Sequence, residues 1–548
     1  MMQKLGHIIL IALIFIGFGV KSQQPINSDF EILKNLELFE MVYKNIDISY
    51  VDEPNPGKLM RVAIDAMLAE LDPYTKYIPE SQIEEFKLMT TGQYGGIGAL
   101  IQQQNGKVVI TNAYENWPAA KAGLIPGDIF IEINDKNVEK LSSGEVSDIL
   151  TGTPGSIIKV KVNRQGEMIT KTFAREEIKL SPVPYVGMVN EDIGYIKFVS
   201  FTQTAAEEVL KGFTDLKAQG MKKLIFDLRG NGGGLLIEAV KIVNMFVEKD
   251  ETIVWMKGRS EGDKTTWTAT LKPTDLEIPI VVLVDDGSAS ASEIVSGALQ
   301  DLDRAVIVGH TSYGKGLVQR PLDLKYNAKV TITIAKYYTP SGRCIQKLDY
   351  KNRSTGSSAQ SISDSLLTKF KTKNGRDVVD GRGIEPDVKI PERSYSRLTM
   401  MTVVNNIIFE YATKYYIEHK EVAAAREFKF TDEMYQDFSQ FVLAKTFTYS
   451  TASSELMDQL KKTAEEENFF QDSETEFNAL YDKLKPSKER DLAKFKPELI
   501  ELLEDEIIGR YYYERGRIEH AMVGDPFILE AIEILNDSPR YKQILRIQ

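Results

Sequence analysis

At 548 residues the chain is several times the roughly 100–200 residues that one hydrophobic core organises, so about three or four folded units are expected. Hydrophobic residues at 43%, charged residues at 27% and 38 glycines with 20 prolines lie in the globular range, which excludes collagen, wholesale disorder and a polytopic membrane protein. The formal charge of -12, from 79 acidic against 67 basic residues, leaves no electrostatic footprint for a phosphate backbone and argues against nucleic acid as a partner.

Lys4 precedes an apolar run over residues 8–20, long enough for the hydrophobic region of a signal peptide and short of the roughly 18 residues that a membrane span needs. Residues 1–22 are read as an export signal to the periplasm, with an uncleaved anchor in the inner membrane as the alternative. Cys344 is the single cysteine, so lipoprotein processing, a disulfide framework and a Cys-rich zinc site are not available. His7, His310, His419 and His520 lie far apart, and no metal site is expected.

Along residues 23–84, Ile32, Leu36, Phe39, Tyr43 and Ile46 recur at spacings of four and three and predict an amphipathic helix over 30–51, ended by Pro54, Pro56 and Gly57. A second helix over 58–71 stops at Asp72-Pro73, because the residue before proline is pushed out of the helical region. Over 85–177 the runs YGGIGALI, KVVITNAY, GDIFIEIND, SIIKVKVNR and MITKTFA predict a small β domain. Its one helical insert, over 142–150, puts Val146, Ile149 and Leu150 on one face before Gly152, Pro154 and Gly155. Over 178–395 strand-like and helical runs alternate, which predicts an α/β core, with residues 351–376 as an exposed loop. Residues 396–548 read as helical and charged, with Asp525 as N-cap and Pro526 at the first helical position before FILEAIEIL.

Where the apolar run IPIVVLVDD meets the helix ASEIVSGALQ stands the serine cluster SASAS. A hydroxyl there sits near the positive end of a helix dipole, beside N–H groups that can receive a developing oxyanion. The plain reading is a capping box, Ser290 with Glu293, which needs no chemistry. A serine nucleophile requires a base. His310 is the single histidine of the α/β core, and a Ser/His/Asp triad through it is one option. Lys315, between Gly314 and Gly316 in GHTSYGKGLVQ, is the other: it serves as base if burial lowers its pKa, and is otherwise a solvated loop cation.

Residues 309–315 also spell G-x-x-x-x-G-K after a strand, with Asp227 at the end of KKLIFD in the place of a magnesium-side partner. Gly316 stands where a phosphate-binding loop requires Ser or Thr, so nucleotide binding is not expected. In DLRGNGGGLL, Gly232, Gly233 and Gly234 either aim N–H groups at a ligand or simply turn the chain.

In this order, LDPYTKYIP, YGGIGALI, PAAKAGLIPGDIFIEIND, GYIKFVSF, DLRGNGGGLL, GSASASEIVSGALQD, VGHTSYGKGLVQ, YYTPSGR and DGRGIEPDV resemble the carboxyl-terminal processing proteases over residues 30–392. These are serine peptidases with a Ser/Lys dyad and an embedded PDZ domain. The resemblance implies a multidomain α/β fold. A crotonase/ClpP-like protease core spans 178–395, an inserted PDZ β domain 85–177, a helical N-terminal segment 23–84 and a helical C-terminal extension 396–548. It implies Ser290 as nucleophile, Lys315 as general base, Gln319 holding the lysine amine, oxyanion donors on Ala291 and near Gly233, and no cofactor.

It further implies that the PDZ domain adds a peptide as an extra strand and takes its terminal carboxylate in the turn of Gly95, Gly96, Ile97 and Gly98. Val146, Ile149 and Leu150 would line the side-chain pocket; the alternative is that they fill a small core. The expected activity is endoproteolysis of exported proteins near their C-termini. Expected partners are protein or peptide substrates with accessible C-termini, and an adaptor or a second copy through the C-terminal extension. The rival reading is a non-catalytic PDZ scaffold on an inactive protease fold, against which the intact Ser290, Lys315 and Gln319 stand.

Overall fold

The computed structural model describes residues 28–260, 262–351 and 358–547; the export signal expected over 1–22 lies outside them. The described residues up to Tyr77 form one unit, with helices Ser28–Ser49 and Pro56–Ala69. Asn55 caps the second by accepting the Lys58 N–H at 2.9 Å, with Pro56 and Gly57 in its first turn; the first helix ends at Ser49, ahead of the expected Pro54, Pro56 and Gly57, so Pro56 opens a helix rather than closing one. Asp72 then takes the N–H groups of Tyr74 and Thr75, both at 2.8 Å, and turns the chain. Phe30, Leu33, Leu36 and Val42 of the first helix are exposed. Among the described residues no helix is long and apolar enough to cross a membrane.

The second unit begins at Ile78. Its small β domain is an antiparallel sheet in the order Ala99–Gln104, Lys107–Ala113, Ile129–Ile133, Ile157–Arg164, Glu167–Ala174. Alternation shapes its core: Ile158, Val160 and Val162 point inward and their neighbours outward, against Ile110, Phe130 and Val146. Ala99–Gln104 is an edge strand of this sheet. Helix Ser143–Leu150 lies beside it and is closed by Arg175, which donates to the carbonyls of Ile149 at 2.8 Å and Leu150 at 2.9 Å.

The larger core contains, in chain order, β1 (Tyr185–Met188), β2 (Ile193–Lys197), α1 (Ala205–Ala218), β3 (Lys223–Asp227), α2 (Leu236–Asn244), β4 (Ile280–Val284), α3 (Ala291–Asp301), β5 (Val306–Gly309) and β6 (Val388–Lys389). The strands make a six-stranded sheet in that same order, with β1 antiparallel at one edge and the rest parallel. Right-handed crossovers that always advance in one direction put every connecting helix on one face. Leu224, Phe226, Val282 and Ile307 accordingly pack on α1, α2 and α3. Ile225, Val281, Leu283, Val306 and Val308 face the other way and need a second cover.

That cover comes from the end of the chain. α4 (Lys496–Gly524) is broken at Tyr513, whose φ is 56° and ψ -157°. Its first half packs with Tyr411, Phe430 and Phe438 in a helical core, while Ile518 and Met522 of the second half join the sheet. α5 (Pro526–Asn536) and α6 (Ser538–Leu545) complete the cover through Ile528, Ala531, Ile534, Leu535 and Leu545. The C-terminal extension thus supplies one face of the α/β core.

A second, antiparallel sheet pairs Thr252–Lys257 with Lys264–Thr268 and with Lys329–Tyr338, which also pairs with Leu317–Asp323. The segment read as an exposed loop over 351–376 ends otherwise than expected. Arg376 is 7% exposed and donates to Asp303 and Asp387, both at 2.5 Å, because the loop returns against acidic groups of the core.

Candidate active site

Three loops leave the C-terminal ends of β3, β4 and β5, residues 228–235, 285–290 and 310–316, at the end of a parallel sheet where ligands ordinarily bind. The first two are laced together. Gly230 N–H donates to Asp285 at 2.8 Å and Ala289 N–H to the Asn231 carbonyl at 3.0 Å. The Ser288 hydroxyl donates to the Leu228 carbonyl at 2.9 Å and the Ser292 hydroxyl to the Asn231 carbonyl at 2.8 Å. Two of the three clustered serines are therefore buried ties. Ser290 is half-buried, and among the described residues no bond joins its hydroxyl to the glycine-rich loop. Its backbone, at φ 56° and ψ -111°, lies in a region that costs a non-glycine residue about 1–3 kcal/mol, the strain expected where a fold forces a side chain outward.

The capping box exists, and it does more than cap. Glu293, fully buried, accepts the Ser290 N–H at 2.8 Å and the Lys315 N–H at 2.9 Å on one carboxylate oxygen. On the other it accepts the Ser312 hydroxyl at 2.6 Å and the Gly314 N–H at 2.7 Å. Burial pushes this carboxyl above its ordinary value, against the pull of the four bonds. From the other side the Tyr337 hydroxyl lies 3.0 Å from the Ser290 carbonyl and 2.7 Å from the Lys315 carbonyl, its one proton shared between them. Ser290 and Lys315 are thus gripped, through backbone alone, by the same two side chains. The near match to a phosphate-binding loop has its explanation here: the Gly314 and Lys315 N–H groups cradle a carboxylate of the protein itself.

Lys315 is half-buried, and a Cβ on Gly314 would lie 2.5 Å from Lys347 Cβ, so the turn that carries the lysine admits no side chain there. Gln319 sits at a bulge in Leu317–Asp323 and its amide nitrogen donates to Thr333 at 3.1 Å. Ala291 opens α3, and among the described residues its N–H makes no hydrogen bond. Gly233 packs so closely that a Cβ would lie 2.9 Å from Ser290 Cβ, and its N–H donates to Asn231 at 3.0 Å. That bond counts against Gly233 as an oxyanion donor in this state. His310 stacks edge-on against Phe527, ring centroids 5.0 Å apart.

Asp227, the imagined magnesium-side carboxylate, is buried under Tyr195, Lys197 and Arg229, at 2.6 Å, 3.2 Å and 2.6 Å. Burial pushes its carboxyl up, but the two cations and these bonds outweigh it and hold the group well below the usual carboxylate range.

In the small β domain, Val146 and Leu150 are core residues, while Ile149 is half-buried at the rim. The glycines of Gly95, Gly96, Ile97 and Gly98 serve close packing: added Cβ atoms would meet the Gly152 carbonyl at 2.2 Å, the Tyr94 ring at 2.6 Å and Trp117 at 2.4 Å. The Gly98 N–H faces the Tyr94 hydroxyl, whose pKa burial lifts to about 12. Ile97 is buried, with its carbonyl taking the Ala119 N–H at 2.8 Å.

Residues 192–352 match Peptidase family S41, residues 109–164 the PDZ domain, and residues 398–535 the family described as "Probable PDZ-protease, C-terminal helical domain". The carboxy-terminal-processing protease of Bartonella bacilliformis is 35% identical over 326 residues, covering 58% of this chain and 74% of that protein. The chain belongs to the carboxy-terminal processing proteases of peptidase family S41. Carboxy-terminal processing protease CtpA of Bacillus subtilis is 33% identical over 335 residues, 61% of this chain and 70% of that one. The solved photosystem II D1 C-terminal processing protease is 27% identical, covers 65% of this chain with 92% of its own, and gives a TM-score of 0.36.

The protein is a serine-type peptidase with a PDZ domain and a helical C-terminal domain. Sequence reasoning about this protease saw Glu293 only as a cap and missed Tyr337. The spacing of Ser290 and Glu293 signalled the first; nothing local signalled the second.

Proposed function

We propose that this protease cuts exported proteins near their C-termini with Ser290 as nucleophile and Lys315 as general base. The observation that carries the reading is the shared grip of Glu293 and Tyr337, which brings a strained serine at a helix N-terminus together with a lysine from another loop. The Ser290 hydroxyl gives its proton to the neutral Lys315 amine as Oγ attacks the scissile carbonyl. The oxyanion that forms meets the Ala291 N–H and the positive end of α3. The C–N bond breaks as Lys315 returns the proton to the leaving amine; water, deprotonated by the same amine, then releases the acyl group and restores Ser290. Gln319 offers its amide oxygen to the Lys315 ammonium while its nitrogen is held by Thr333.

The chemistry calls for neither a metal ion nor a nucleotide, so cleavage of an unstructured protein should proceed without ATP and survive a chelator. Strict dependence on either would reject the mechanism. The substrates themselves are found by mass spectrometry of C-termini that accumulate when Ser290→Ala replaces the wild type in cells; no accumulating termini would remove the processing role.

The PDZ domain reads C-termini in this proposal, supported by the unpaired edge of Ala99–Gln104 beside helix Ser143–Leu150 and by the half-exposed Ile149 at its rim. A peptide ending in a free carboxylate should bind full-length Ser290→Ala protein at least about tenfold tighter than its amide, since charge-assisted bonds are roughly twice as strong as neutral ones. Equal affinities in calorimetry would remove tail reading and leave the peptidase assignment untouched.

A further inference from the structure

Phe527, in the first turn of α5, touches two of the three loops of the site. The Arg229 guanidinium lies over its ring, 4.8 Å from the centroid, and Arg229 directly precedes the glycine-rich loop that packs on Ser290. On its other side it meets the start of the loop of Lys315, where His310 stacks edge-on and a Cβ on Gly309, the last residue of β5, would come 3.1 Å from the Phe527 ring, while the ring also packs against the apolar core beneath the sheet.

Asp525 divides its oxygens between two tasks. Oδ1 caps α5 by accepting the N–H groups of Phe527 at 2.8 Å and Ile528 at 3.2 Å. Oδ2 accepts from Arg229 at 2.7 Å, and the remaining nitrogens of Arg229 are spent on Asp227. A helix that merely covered the sheet would need the cap and the apolar face of α5. It would have no use for a charged contact to the base of a catalytic loop.

We propose that Asp525 and Phe527, in the C-terminal helical domain, are positioning residues that hold the Ser290-packing loop and the Lys315 loop in register for proteolysis. The proposal rests on the Ser290 and Lys315 reading. It makes the far end of the chain part of the peptidase: the arrangement of the site is set only when α5 is seated.

The test uses the division of labour at Asp525. Asn caps a helix about as well as Asp, so Asp525→Asn keeps the cap and loses the charged contact to Arg229. In the full-length enzyme, kcat on an unstructured protein should fall about tenfold or more with KM changed less than about twofold, the mark of an interaction made for the reacting state rather than for binding. The thermal midpoint should stay near that of the wild type. Phe527→Leu should behave likewise, and Phe527→Tyr, which keeps a ring against both loops, should restore kcat.

Wild-type kcat in folded Asp525→Asn and Phe527→Leu would overturn the proposal. So would a loss of activity that follows the loss of folded protein in both. Cleavage by Ser290→Ala would instead overturn the nucleophile assignment beneath it, so the two failures are distinct.

Discussion

Ser290→Ala, Lys315→Ala and the double variant should cleave an unstructured protein at one common residual rate, about 10³-fold or more below the wild type, because groups that act as a unit lose their effect together. The structure also explains why these variants should fold. Glu293 and Tyr337 hold Ser290 and Lys315 through backbone N–H and carbonyl groups, which alanine retains. Ser290→Gly goes further. At a φ of 56° glycine carries no penalty, so this variant should be inactive and yet about 1 kcal/mol more stable than wild type in denaturant unfolding. Substantial activity in folded Lys315→Ala, joined with its loss in His310→Ala, would transfer the base to histidine.

How much of this was legible in the sequence depended on how local the determining contacts are. β3, β4 and β5 stood out because parallel strands covered on both faces read as unbroken apolar runs. The junction carrying Ser290 was equally plain. Its singling out was not, since what sets Ser288 and Ser292 apart is bonds to Leu228 and Asn231, on a loop distant in sequence, and what sets Ser290 apart is a positive φ that the folded loop imposes. Tyr337 stood among the alternating residues of an ordinary strand, and its hydroxyl has meaning only once two loops arrive beneath it. The Asp525-Pro526 helix start was readable from its cap. That the following apolar face closes the second side of the sheet was not, because an amphipathic helix does not name its partner.

Glu293→Ala should abolish cleavage and destabilise the protein by several kcal/mol, since it strands the Ser290, Gly314 and Lys315 N–H groups and the Ser312 hydroxyl in a buried site, at roughly 1–3 kcal/mol for each group that water cannot reach. Glu293→Gln separates charge from shape. An amide has one accepting oxygen and one donating nitrogen where the carboxylate has two acceptors. Its cheaper orientation turns the nitrogen toward Ser312, whose hydroxyl already accepts the Ile384 N–H at 2.7 Å and must reverse to accept a second, so the Gly314 N–H is opposed and the Ser312 proton loses its acceptor.

The Ser290 and Lys315 amides then stay gathered on the oxygen, and cleavage should persist at about a tenth of the wild-type rate, where alanine retains none. Because burial raises the Glu293 pKa, the folded state holds its proton more firmly than the unfolded chain does. The stability this group contributes is therefore fully present below the ordinary carboxylate value and is lost as pH rises through the raised folded value. Glutamine does not titrate. The difference in unfolding free energy between wild type and Glu293→Gln should thus move in favour of the wild type as pH falls through that window. A difference independent of pH, or equal activity in the alanine and glutamine variants, would remove Glu293 from its role as the clamp on Ser290 and Lys315.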